Sequence, residues 1–278
     1  MAKRRYEEKL QGLNALRAED AGAQAYLSKA LRDPNNYVVA RAASIVSEFR
    51  AEALIPELVE ACERFYVSPD PQCLAKVALA RALRHLGYHD ADFYLRGLRH
   101  VQLEPAWGGR GDSAGGLRGI CALAITECPL DPLRILSYLT DALADPDKLV
   151  RIDVARAIAQ MARDEGALPL RLRVLVGDEP DVIGECCAAL LSITPGDAVP
   201  FVARLLECAS PDVQLEAAAA LAQSREPTIS GLLRDYFERP HPGELRKALL
   251  LVLRASPLRI ERWVQDAIRA DEGEVRLR

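Results

Sequence analysis

Three groups of residues in this 278-residue chain have types and spacings that could support chemistry. The stretch from Glu104 to Gly119, EPAWGGRGDSAGGLRG, sets a run of glycines ahead of a helix-like segment, as a phosphate cradle would, and carries Trp107 and an Arg-Gly-Asp triplet. Gly108, Gly109 and Gly111 nevertheless lack both the preceding strand and the Gly-Lys-Ser/Thr continuation that a phosphate loop needs. His85 and His89 stand four residues apart beside Asp90 and Asp92, the spacing of a metal pair on one helix face, but Gly87 between them ends the helix. The seven cysteines include no Cys-x-x-Cys pair, and Cys121, Cys186, Cys187 and Cys208 fall within apolar helical patterns, which suits reduced core thiols. No Ser-His-Asp or Cys-His arrangement and no isolated carboxylate pair stands out, so no catalytic role, metal or cofactor is implied.

The elements that would hold these residues are helical. The chain is 50% hydrophobic, 27% charged and only 5% aromatic, and its apolar positions are mostly Ala, Leu, Val and Ile, which suits closely packed helices better than sandwiches or barrels. A net charge of −4 argues against a dedicated nucleic-acid binder, whose backbone contacts need a basic footprint. The start, MAKRRYEEKL, lacks the apolar core of a signal peptide, and no run approaches the roughly 18 apolar residues of a membrane span. A cytoplasmic protein without membrane contact is expected.

Self-comparison organises the chain. DPDKLVRIDVARAIAQM from Asp145 overlays DPNNYVVARAASIV from Asp33, DPQCLAKVALARAL from Asp70 and DSAGGLRGICALAI from Asp112, with an aliphatic position five residues after each Asp: Val150, Val38, Ala75 and Leu117. Two further copies align through Val182 and Val213, and a looser one through Leu245. The Asp intervals are 37, 42 and 33, followed by 32 and 31 between the valines, so the unit is about 32 residues. An amphipathic stretch such as PLRILSYLTDALA precedes each copy, which makes the unit a helical hairpin. The Asp reads as an N-cap followed by Pro at the first helical position. Small residues recur where helices must approach one another: Ala43, Ala80, Ala122, Ala155, Cys187 and Ala218.

The Asp-Pro turns, Val150-Arg151 and the Ala-rich second helix at Ala155 to Ile158 resemble the HEAT repeats, in particular the short bacterial HEAT-like repeats of the phycobilisome-lyase type. The resemblance runs from about residue 20 to 278. It implies an α-solenoid, residues 1–278 forming one superhelix of seven or eight hairpins, and it leaves function open among scaffolds, lyase subunits and nucleic-acid enzymes.

Within this frame Asp112 takes the place of Asp145, so the Arg-Gly-Asp triplet is a helix start rather than an adhesion signal, and about ten surplus residues fall at 101–111 as an inserted loop. The position of Arg151 is also held by Lys76, Arg118 and Arg246, and a turn later Arg81 and Arg156 share another, which together with Arg84 gives a basic stripe for an acidic or phosphate-bearing partner. Pairing of these cations with turn carboxylates is the structural alternative. The expected function is a protein-interaction scaffold that uses its concave face and the loop of Trp107 and Arg110, with Arg118 and Arg151 beside them. One alternative is a bilin lyase-type subunit whose stripe pairs the propionates of a linear tetrapyrrole. Another is a HEAT-like nucleic-acid binder with Trp107 or Trp263 as its aromatic. Finally, DEGEVRLR from Asp271 repeats the opening of a second helix, with Val275-Arg276 in the place of Val150-Arg151.

Overall fold

The computed structural model describes residues 2–255, other than 225 and 227; Trp263 and the Val275-Arg276 copy lie outside the described residues. Among the described residues, helix α1 (Ala2–Ala15) is followed by seven successive helical pairs. They are α2 (Ala23–Leu31) and α3 (Asn36–Glu48), α4 (Ile55–Val67) and α5 (Leu74–His85), α6 (Ala91–Leu98) and α7 (Gly115–Ile125), α8 (Pro132–Ala142) and α9 (Lys148–Met161), α10 (Ala167–Val176) and α11 (Pro180–Ile193), α12 (Pro195–Ala203) and α13 (Pro211–Gln223), and α14 (Thr228–Phe237) and α15 (Gly243–Arg254). The fold is all-α and built of repeated hairpins. The one departure is the insertion before α7, expected as a loop at 101–111, which is a β-hairpin of β1 (Leu103–Ala106) and β2 (Gly109–Asp112).

The chain divides into two compact units, Met1–Ile135 and Leu136–Arg278. In the first, α3 packs on α5 and α5 on α7; in the second, α9 packs on α11, α11 on α13 and α13 on α15. The second helix of each pair therefore forms the shared layer of its unit. Ala43, Ala80, Ala122, Ala155, Cys187 and Ala218 are all 0% exposed, so the recurring small residue marks where these helices approach most closely. Larger neighbours such as Leu79, Leu83, Val154 and Leu221 fill the remaining space.

The Asp-Pro signals work two residues earlier than their spacing suggests. The cap of α3 is Asn35, whose side chain accepts from the N–H groups of Tyr37 and Val38, and the cap of α9 is Asp147, which accepts from Leu149. Asp33 and Asp145 instead accept from the N–H of Asn35 and Asp147, at 2.9 Å each, and so shape the turn that delivers the cap. Asp70 comes nearer to the expected role. It is buried, and its carboxylate accepts from the N–H of Ala75 and Lys76 at 2.9 and 3.0 Å.

Reversal of the chain between paired helices leaves carbonyls unsatisfied at the end of the first helix. The residue after the aliphatic register position answers them. Lys76 donates to the Phe65 carbonyl at 3.1 Å, Arg118 to that of His100 at 3.0 Å, and Arg151 to those of Asp145 and Pro146 at 2.6 and 3.1 Å. Gln214 reaches the Cys208 carbonyl at 2.5 Å and Arg246 that of Phe237 at 3.4 Å. Lys76, Arg118 and Arg151 are buried, and each has a carboxylate: Asp70 at 3.3 Å, Asp112 at 2.5 Å, and Asp178 at 2.7 Å with Glu179 at 2.5 Å.

Asp178 is the most heavily used of these acids. Burial opposes its charge, but hydrogen bonds from Arg151 and Arg173 outweigh that and hold its carboxyl well below the usual range. Asp178→Ala removes the buried counter-charge of Arg151 and leaves it only the half-exposed Glu179, and we expect it to lower stability by about 1.5–3 kcal/mol at pH 7, measured by denaturant unfolding. Because the folded-state value is depressed, the contribution is complete above the ordinary carboxylate range and declines from about pH 4 downward. The gap between wild type and variant should therefore narrow in acid, and a gap that stays constant from pH 7 to pH 3 would contradict the assignment.

Candidate functional site

The β-hairpin is the part of the described chain that the repeat does not require. Its strands pair Leu103 with Asp112, Glu104 with Gly111, Pro105 with Arg110, and Ala106 with Gly109, leaving Trp107-Gly108 as a two-residue turn. Gly108 has φ 88° and Gly109 φ 153°, backbone that side-chain-bearing residues rarely adopt, so the glycines that resembled a phosphate cradle are there to close this turn. Trp107 occupies the tip and is exposed over 107% of its reference area. It does not pack back on the helices. Val101 and Leu103, at the foot of the ribbon, are also more than half exposed.

Such a small ribbon is marginal by itself, and this one is clamped at its base. The Glu104 carboxylate accepts from the N–H of Gln72 at 2.9 and 3.0 Å and from the Gln102 amide at 2.6 Å. That amide also donates to the Asp70 carbonyl at 2.7 Å, while the Gln102 N–H donates to Asp112 at 2.9 Å. The hairpin is thereby tied to the turn of the preceding helical pair. On that side Gln72 and Cys73 have φ 62° and 54°, two successive left-handed residues that carry side chains. This backbone turns the Gln72 N–H toward Glu104.

Electrostatics reinforce the clamp. Partial burial opposes the charge of Asp112, yet the N–H groups of Gln102 and Ala114 and the Arg118 guanidinium lower its carboxyl below the usual range. Nearby, burial followed by the charge of Lys76 depresses His100, whose Nε2 is buried without a partner.

The basic positions read from the sequence differ in their surroundings. Lys76, Arg118 and Arg151 are buried as carbonyl donors, so burial removes them from the expected stripe. Arg110 is exposed on β2, where it donates to the Leu103 carbonyl at 3.2 Å. Arg156 is half exposed and pairs with Asp153 at 3.2 Å and Glu185 at 2.7 Å. Arg81 is exposed on α5. Trp107 and Arg110 thus share the hairpin, Arg118 stands under it, and Arg151 belongs to the second unit. Gln72, Gln102 and Glu104 escaped the sequence reading, and the only signal for them was the strand-and-turn pattern around Trp107-Gly108.

Other candidates resolve into local structure. His85 ends α5 with Nδ1 at 2.5 Å from the Ser47 hydroxyl, and His89 follows Gly87, whose φ is 71°. Cys62, Cys73, Cys121, Cys128, Cys186 and Cys187 are buried, and burial pushes the thiols of Cys62, Cys73, Cys186 and Cys187 up to about 12. Those thiols are protonated and inert at neutral pH. Among the described residues no helix is long and apolar enough to cross a membrane.

No family model matches the sequence, and no curated protein matches it. Among solved structures, the chain is similar to human deoxyhypusine hydroxylase in complex with glycerol at 18% identity, over 91% of this chain and 90% of that one, with a TM-score of 0.35. Two engineered proteins are similar at 19% identity over 82% and 94% (TM-score 0.31), and at 17% over 88% and 82% (TM-score 0.28). At these scores the likenesses carry nothing about a site or an activity.

If Glu104 holds the ribbon, Glu104→Ala should raise amide hydrogen exchange in residues 103–112 severalfold while changing the global melting temperature little, since local opening and global unfolding are separate events. Unchanged protection of the hairpin would show that the clamp lies elsewhere.

Proposed function

We propose that this protein is an interaction scaffold that engages a partner protein through the Trp107 hairpin. The observation that carries the reading is the full exposure of Trp107 at the tip of a ribbon fixed by Glu104, Gln102 and Asp112. An indole left in water is a cost to the free protein, and aromatic side chains are over-represented among residues that dominate binding energy. The clamp limits the ordering entropy lost on docking, which is how preorganisation raises affinity. Arg110 at the side of the ribbon would steer a partner with carboxylates around an apolar pocket, a contribution to association rate more than to affinity.

The tetrapyrrole reading came from the resemblance to phycobilisome-lyase-type repeats, with the basic stripe to pair the propionates, and the commitment of Lys76, Arg118 and Arg151 to carbonyls and carboxylates leaves that stripe without three of its members. Nucleic-acid binding is disfavoured by the same burial and by the net charge of −4. The scaffold reading needs only the exposed surface of the hairpin. It agrees with the absence of a catalytic constellation in the sequence and with a helical repeat fold, which serves many unrelated functions.

Quantitative affinity capture with wild type, Trp107→Ala and a deletion of residues 104–110, followed by dissociation-constant measurement on any protein the variants lose, tests the proposal. Trp107→Ala should weaken binding at least about fivefold, which corresponds to about 1 kcal/mol, and leave the melting temperature unchanged. A variant that melts earlier but retains every interaction would make Trp107 a structural residue and end this reading.

A further inference from the structure

The N-terminal end of the first unit holds a groove of about 440 Å³ bounded by α1, α2 and the turn into α3. Its size lies within the range of roughly 300–1,000 Å³ common for small-molecule sites. Leu13 and Val38, each 1% exposed, form its floor, and the accessible apolar surface comes from Tyr26, Ala30 and Pro34. Tyr26 supplies an aromatic wall. Its ring is held against α1 because Gly12 has no side chain: a Cβ there would come within 2.5 Å of the Tyr26 hydroxyl. Tyr26 is thereby seated against α1 as one wall of the groove.

Its charge is unbalanced. Lys9, Lys29 and Arg32 line it together with a single acid, Asp33, which pairs with Lys9 and also accepts from the Asn35 N–H. Lys29 and Arg32 have no ion-pair or hydrogen-bond partner among the described side chains. Cations in the last turn and C-cap of a helix are ordinarily explained by its exposed carbonyls and dipole. At this helix end Arg64 takes that part, donating to the carbonyls of Leu31 at 2.8 Å and Asp33 at 3.1 Å. Lys29 and Arg32 are left as two uncommitted positive charges at the rim of an apolar slot, in a chain whose net charge is −4.

We infer that this groove binds a small organic anion whose flat apolar body lies against Tyr26, Ala30 and Pro34 and whose carboxylate or phosphate is held by Lys29 and Arg32. A planar oxyanion suits the Arg32 fork, and the compact ammonium of Lys29, three residues earlier on the same helix end, adds a point charge beside it. The slot and the two cations must act together. Phosphate alone gains nothing from the apolar wall, and a neutral aromatic gains nothing from the charges. The site is separate from the Trp107 hairpin and does not depend on the scaffold reading.

Phenyl phosphate is a suitable probe, with inorganic phosphate and benzyl alcohol as half-ligands, and amide chemical shifts of the full chain are the readout. We expect saturable shifts from phenyl phosphate centred on residues 26–38, with each half-ligand at least about tenfold weaker. Charge reversal in Lys29→Glu/Arg32→Glu should abolish saturation within the solubility of the probe, and Ala30→Trp should fill the slot to the same effect. Should either variant melt early, Lys29→Gln/Arg32→Gln replaces it, with a loss of at least about tenfold expected. Trp107→Ala should bind the probe as wild type does. Equal responses to phenyl phosphate and benzyl alcohol, shifts centred outside residues 26–38, or unchanged binding in the charge variants would each overturn the inference.

Discussion

The structure depends on satisfying the carbonyls left over where each first helix ends and the chain turns back. In a helical hairpin those groups point into the region where the second helix begins, and their burial without a donor costs about 1–3 kcal/mol apiece. One register position answers them repeatedly, occupied by Lys76, Arg118, Arg151, Gln214 or Arg246. The carboxylates of Asp70, Asp112 and Asp178 follow from that choice, because a buried cation needs a counter-charge. The turn thus recruits the cation, and the cation recruits the acid.

That order explains how the hairpin comes to be presented. Asp112 is the counter-charge of Arg118 and also the last residue of β2, while Asp70 is the counter-charge of Lys76 and lends its carbonyl to Gln102. The ribbon is consequently built onto two existing ion-pair sites and needs few contacts of its own. Trp107 can stand clear of the helices because its support lies at the foot of the ribbon and not under the indole.

Much of the fold was legible in the sequence because small and aliphatic residues recur at fixed positions, and Ala43 through Ala218 are buried where that register places them. The caps lie two residues beyond the Asp-Pro signals because Asp33 and Asp145 shape the preceding turn and do not start the helix. The cations were legible as a series but not as buried. Their charge suggested exposure, and only an account of the turn carbonyls shows what they serve. Gln214 went unnoticed in the same role because it carries no charge. The hairpin was hidden by Pro105 and the glycines, which depress strand propensity. The N-terminal groove lies largely ahead of the clear repeats, where Tyr26 and Gly12 meet only in three dimensions.

Asp178 belongs to the turn between α10 and α11, yet it holds Arg151 of α9, and Glu179 beside it does the same. The bond therefore joins two successive hairpins. In a chain of repeats, stability divides into the intrinsic worth of each repeat and the coupling at each interface, and the coupling decides whether repeats unfold together or one by one. Opening this interface breaks both Arg151–Asp178 hydrogen bonds at once, so the contact adds a directional element to the coupling. Helix α9 and the α10–α11 pair are accordingly held together by a fixed polar contact as well as by apolar packing.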